Sequence, residues 1–393
     1  MSKSLIRDLV IGAVTVLLAA AGAPGIAAPL SHTEQETLVH DAVRVAKVMM
    51  TSNDVYDRIL AAGALAETGD TQALDVLRNY LAHTDLVLKR SAIDTLMSSS
   101  HPNELDLLFR TANADPEVLG LMVESLASTP RPDMEDLIGD ALKLDSLYVQ
   151  KNALQAIARG EVIGLNRILN KMIVDPEVGA TLKAYAYYAL ARNGESAAVG
   201  EKLMTIAGSG QVEEREVAAI ALGILDDPNA KVLLRKLIKE DSDQRVVLAA
   251  LASHAGLGDD ESIGRLIHGI AYGKAMESTV LAGSLKRLPA ERASKITEVL
   301  LECCKLNSDA ATRVLESWAT IRSDPGKLYA WGLMHANSDV RLQTVWLVGH
   351  RKDLGALHSI AALLKDKDPA IKTMAAWSII HAAASGYVGG TET

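Results

Sequence analysis

The sequence predicts an all-α protein, a right-handed α-solenoid of about ten helix pairs. Three observations predict it. Alanine and leucine dominate the apolar residues, while aromatics make up 4% of the 393 residues. Ala and Leu favour helices, where β-branched and aromatic residues would favour strands. Asp-led turns punctuate the chain at steps of about 30 residues, as at Asp115-Pro116, Asp175-Pro176, Asp227-Pro228, Asp324-Pro325 and Asp368-Pro369. Between them one pattern returns: a basic residue, then small residues, then an apolar pair one turn later. A step of that length fits two helices of about 12 residues joined by tight turns.

The first element is an export signal. Lys3 and Arg7 form a short basic region, and Leu9 to Ala21 is an unbroken run of small and apolar residues. Gly22, Pro24 and Gly25 then break any helix, and Gly25-Ile26-Ala27 has the small-x-small form of a cleavage site. The apolar run, about 13 residues, is short of the roughly 20 that a membrane span needs. No Cys follows it for lipid attachment. The expectation is a signal peptide over residues 1–27, with a retained N-terminal anchor as the alternative. The remainder is then expected outside the cytoplasm, in a periplasm first of all, and touching a membrane only if the segment is retained. Residues 28–51 read as a lead-in capping helix, 52–384 as the solenoid, and 385–393 as a flexible tail.

Within the solenoid, DRILAAGALAETGD from Asp57, LKAYAYYALARNGE from Leu182, EREVAAIALGILDDP from Glu214, VRLQTVWLVGHRKD from Val340 and AIKTMAAWSIIHAA from Ala370 align. Alanines three and four places after the basic residue let successive second helices approach closely, and a Leu at the seventh fills the core. An Asp before each second helix is placed to accept from free N-terminal N–H groups. The pattern Asp-x-x-Val-Arg-x-x-Ala-Ala-x-Ala-Leu-Gly resembles HEAT repeats, in particular the short bacterial type also seen in phycobilisome lyase subunits. Asp339-Val340-Arg341 and Arg215 through Gly223 match it best, and the resemblance runs over about residues 52–384. It implies that the Asp/Arg pairs Asp54/Arg58, Asp243/Arg245, Asp309/Arg313 and Asp339/Arg341 are structural, and that recognition occurs on second helices lining a concave face.

Composition and motifs narrow the function. A net charge of -9 gives no basic footprint for nucleic acid. No phosphate-binding glycine loop or nucleophile elbow is present. The ten His are scattered, with no two placed three or four apart for a helical metal pair. The His-Glu dipeptides through which deoxyhypusine hydroxylase, a HEAT enzyme, binds iron are absent. No catalytic residue, metal or cofactor is expected. Cys303 and Cys304 are adjacent, and neighbours on a helix point about 100° apart, so a disulfide between them would be strained; they read as two small semi-buried residues, with a reactive thiol pair as the alternative.

The candidate binding surface is the fifth position after each basic residue, a column running Gly63, Asp94, Glu124, Gln155, Tyr188, Ile220, Ala250, Gly283, Trp318, Trp346 and Trp377. Its C-terminal end holds three of the four Trp, which either recognise an extended peptide, a glycan or an apolar ligand, or seal gaps between repeats. Tyr185, Tyr188 and Arg192 share a second helix face. The expected role is an exported scaffold that binds a protein partner in an open groove. A carrier of a small apolar or glycan ligand in a closed cavity is the alternative, and a chromophore lyase-like subunit a third.

Overall fold

The computed structural model describes residues 30–387 apart from 100, 130 and 226. The reading of residues 1–27 lies outside the described residues. The helices come as outer–inner pairs: α1 (His32–Met49) with α2 (Val55–Ala66), α3 (Thr71–Leu81) with α4 (Leu86–Ser98), α5 (Pro102–Ala114) with α6 (Pro116–Ser128), α7 (Glu135–Ala141) with α8 (Leu147–Gly160), and α9 (Asn166–Val174) with α10 (Ala180–Leu190). There follow α11 (Ser196–Ser209) with α12 (Val212–Leu222), α13 (Pro228–Glu240) with α14 (Gln244–Gly256), α15 (Asp260–Tyr272) with α16 (Ala275–Ser284), α17 (Ala290–Cys303) with α18 (Ser308–Ser317), α19 (Gly326–Leu333) with α20 (Ser338–His350), and α21 (Leu357–Ala361) with α22 (Pro369–Tyr387). The described residues thus hold eleven pairs and no strand.

Local chemistry sets the helix starts. Asp54, Asp70, Asp85, Asp115, Asp227, Asp243 and Asp259 each accept backbone N–H groups of the helix that follows. Three of the four expected Asp/Arg pairings are corrected. Asn307 and Asn337, not Asp309 and Asp339, cap α18 and α20, because they sit in the extended position just before the first turn. Arg313 pairs with Glu316 instead, and Arg341 donates to the carbonyls of His335 and Ala336 at 2.9 Å. Arg58 likewise donates to the carbonyls of Ser52 and Asn53, whereas Arg245 reaches its own Asp243 at 3.4 Å.

The even-numbered helices form the inner layer, and small residues bring them together. Ala61, Ala62, Ala64 and Ala66 of α2 are fully buried. A Cβ on Gly223, the C-cap of α12, would lie 2.8 Å from Ser253 of α14, and one on Gly349 of α20 would lie 2.6 Å from the Cα of Ser378 on α22. Such approaches exclude a side chain at the contact.

The row of inner helices closes on itself. α22 packs against α20 before it and also against α1 and α2, so the last pair meets the first. His381 of α22 hydrogen-bonds Glu67, the C-cap of α2. The segment expected to be a lead-in cap is the outer helix of the first pair, seated on the last inner helix. An open solenoid needs polar end caps; here each end buries the other's apolar face. This is why α22 is buried all round: Ile371, Ala375, Trp377, Ile379 and Ile380 are covered on different sides of it.

Cys303 and Cys304 are joined by a disulfide, which corrects their reading as separate residues. The helical argument against the bond fails because α17 ends at Cys303 and Cys304 is extended (φ -129°, ψ 141°). Among the described residues no helix is long and apolar enough to cross a membrane.

Candidate functional site

Closure turns the concave face into a lumen. Two chambers occupy it, of about 680 and 530 Å³. The C-terminal ends of the inner helices line the larger one, and Ser128 lines both.

The larger chamber is basic. Arg159, Arg192, Lys286, Arg287, Arg322 and Arg351 line it, with Glu161 as the one lining carboxylate among the described residues. Three of the cations are tied into the scaffold. Arg159 donates to the carbonyl of Ala127 on the preceding inner helix, Arg192 to that of Ala158 at 3.2 Å, and Arg351 to those of Trp318, Ile321 and Ser323 at 2.6–2.9 Å. Each satisfies carbonyls that a helix C-terminus leaves free. Arg192 also pairs with Glu161 at 2.8 Å.

Arg287 and Lys286 are not so compensated. Among the described residues Arg287 has no hydrogen-bond or ion-pair partner, and burial holds its pKa below the usual range. Lys286 reaches only Glu316, at 3.9 Å, and burial pushes its pKa down to about 8, with Arg159 across the lumen adding repulsion. Burial likewise lowers the pKa of Arg159. Holding three cations together in a confined space costs free energy that their neighbours do not return.

Glu161 adds backbone strain at the same place. Five inner helices are followed by a residue with positive φ: Gly69, Gly194 and Gly258, but also Glu161 (φ 52°) and Lys352 (φ 51°). Glycine takes this conformation freely, whereas an L side chain pays about 1 kcal/mol or more. The Glu161 carboxylate gains Arg192 in return.

The smaller chamber has two unlike walls. α4 and α6 present Arg90, Asp94, Glu124 and several hydroxyls, while α20 and α22 present Gln343, Trp346, His350, Met374 and Trp377. Arg90 pairs with Glu124. Burial raises the pKa of Asp94. Trp346 stacks on His350 (centroids 4.7 Å apart) and Trp377 on His381 (4.8 Å). Burial, then the nearby His381, pushes His350 down to about 4, so it is neutral at ordinary pH.

The sequence-derived candidates divide accordingly. Tyr188 and Arg192 line the basic chamber and Trp346 the smaller one, while Trp377 borders the smaller one but is 2% exposed and stacked on His381. Tyr185 is buried with its hydroxyl 3.1 Å from Glu213. Trp318 turns away from the lumen: its indole N–H donates to Thr297 of the outer helix α17 at 3.1 Å, and it is 2% exposed. Arg159 and Arg287 were missed, although a signal existed. Both lie four residues beyond the column positions Gln155 and Gly283, one helical turn further along the same face.

A family model for HEAT repeats matches residues 44–117. No curated protein matches the chain. Among solved structures, the CpcE–CpcF complex of phycocyanin lyase from Nostoc sp. PCC7120 is similar at 17% identity and TM-score 0.36, covering 63% of this chain and 96% of that one. Human deoxyhypusine hydroxylase is similar at 14% identity and TM-score 0.26, covering 75% and 96%. Kap121p is similar at 12% identity and TM-score 0.33, covering 98% of this chain and 59% of its own. The family match spans residues 44–117, and over the rest of the described residues the same repeated helix pairs form an all-α solenoid that resembles HEAT repeats.

Proposed function

We propose that this protein is a binding protein that holds a small anionic ligand in the lumen. The observation that carries this reading is the set Arg159, Lys286 and Arg287, gathered in a chamber of about 680 Å³ with too little negative charge to balance them. Buried unpaired charge is expensive, and proteins retain it where a function repays the cost. A ligand carboxylate, phosphate or sulfate would repay it, because charge-assisted hydrogen bonds from guanidinium groups are the strong ones.

Size favours a small ligand over a folded partner. The chambers lie within the usual range for ligand pockets. A stable protein interface buries about 800 Å² on each side, and closure turns the groove expected for a partner into a lumen. The carrier reading therefore takes precedence over the scaffold reading, with a charged ligand in place of an apolar one.

The test is thermal unfolding in pyrophosphate or citrate against chloride at matched ionic strength. Ligand that binds only the folded state raises Tm by mass action. Lys286→Met and Arg287→Met are expected to keep the fold and lose this rise. An equal rise in wild type and both variants would refute the lumen as the site.

A further inference from the structure

The smaller chamber carries information about the rest of the ligand. It adjoins the basic chamber: Ser128 lines both, and Glu316 in its wall lies 3.9 Å from Lys286. A ligand anchored in the first can therefore extend into the second.

We propose that the lumen takes an anionic saccharide, with its phosphate, sulfate or carboxylate at Arg159, Lys286 and Arg287 and its hydroxylated body in the smaller chamber. The proposal rests on the anion-binding reading and adds the class of the ligand body.

Three features of the smaller chamber select that class. Planar groups with paired hydrogen-bonding atoms converge there: Asp94 from α4, Glu124 from α6 and Gln343 from α20. Such groups engage the vicinal hydroxyls of a sugar ring two at a time, and the arrangement supplies acceptors and donors together. Trp346 stands on the opposite wall, half-buried, with the His350 ring stacked on it at 4.7 Å. An indole held in place presents a flat apolar surface of the kind that the C–H face of a pyranose covers, with little conformational entropy left to lose. Finally, the chamber is a poor container for an acyl chain. An alkyl body would cover Arg90, Asp94, Glu124 and Glu316 without returning hydrogen bonds, and a buried polar group left unpaired is costly. A lipid with an anionic head satisfies the basic chamber and fails in this one.

The experiment uses isothermal titration of the full chain with inorganic phosphate, a panel of hexose 6-phosphates, oligogalacturonate, a sulfated disaccharide and decyl phosphate. At least one saccharide probe is expected to bind ten-fold or more tightly than inorganic phosphate. The best panel member identifies the anionic group. Asp94→Asn and Trp346→Leu are expected to remove that gain while leaving phosphate binding within two-fold of wild type. Two variants on separate helices keep the test valid if one of them unfolds. Decyl phosphate binding more tightly than every saccharide would overturn the proposal and assign the lumen to a lipid. Phosphate binding with no gain for any saccharide would overturn the proposal alone. No binding of any anion would overturn the anion-binding reading as well.

Discussion

The basic chamber and the seam that closes the ring make the same exception with opposite sign. In the chamber Lys286 and Arg287 are cations with too few partners. At the seam Glu67 and Glu104 are carboxylates with too few partners: neither oxygen of Glu104 and only one of Glu67 makes a hydrogen bond of good geometry. The surroundings differ. The chamber opens onto the lumen, so an anion can arrive and restore balance. The seam is closed to solvent, with Glu104 fully buried and His381 2% exposed, so no ligand can reach it and a proton can. Burial, reinforced by the charge of Glu67, accordingly pushes Glu104 up to about 9. The comparison separates a charge kept for a ligand from a charge neutralised within the fold.

Breaking the seam should have the largest effect. His381 holds the one bonded oxygen of Glu67 and stacks on Trp377 with planes 10° apart. His381→Ala would strand a buried carboxylate, a change that typically costs about 3–5 kcal/mol. The variant is expected to melt earlier and to scatter as a larger, opened particle in solution. An unchanged radius of gyration at unchanged stability would mean that the seam does not hold the ring.

The pH dependence tests the same contrast. A carboxyl raised from 4.5 to about 9 leaves stability intact below pH 4.5 and lowers it as pH rises towards 9, because the folded state alone keeps the proton. By pH 7 the loss is roughly 3 kcal/mol. Glu104→Met should recover most of it and flatten Tm between pH 5 and 9. Lys286 behaves oppositely. Its folded pKa of about 8 lies below the ordinary 10.5, so its penalty is complete below pH 8 and is relieved as pH rises towards 10.5. Lys286→Met is expected to gain about 1–2 kcal/mol at pH 7, a figure reduced for the lumen's access to water. It should also lose the anion-induced rise in Tm. A gain without that loss would make Lys286 merely a strained residue.

The sequence made the repeats legible and the closure illegible, for a physical reason. Helix pairs are local: spacing, alanine columns and Asp caps announce them within one unit. Closure depends on the small rotation between successive units, summed over eleven of them, and no residue encodes that sum. One clue was present in α22, whose Ala375-Ala376-Trp377-Ser378-Ile379-Ile380 lacks a polar face. A terminal repeat without a polar face needs something to cover it. The site was half legible. Five members of the column (Asp94, Glu124, Tyr188, Ile220 and Trp346) line the lumen, and Trp377 borders it. Chamber charge sits one turn further on, at Arg159, Arg192, Arg287 and Arg322. Trp318 shares the column's spacing, but α18 ends at Ser317 and its backbone turns the indole outward.

The smallest effect concerns the caps, where sequence and structure disagree by two residues. The motif places Asp339 before α20, yet Asn337 accepts from the N–H groups of Asp339 and Val340 at 2.7 and 3.2 Å. Loss of a capping side chain costs about 1 kcal/mol. An acid inside the first turn gains only a few tenths from the helix dipole. Asn337→Ala should therefore lower stability by about 1 kcal/mol, and Asp339→Ala by no more than about 0.5 kcal/mol, in chemical denaturation of the apo protein. Neither should alter anion binding, since both residues lie away from the two chambers. A larger cost at Asp339 would return the cap to the position that the repeat pattern indicates.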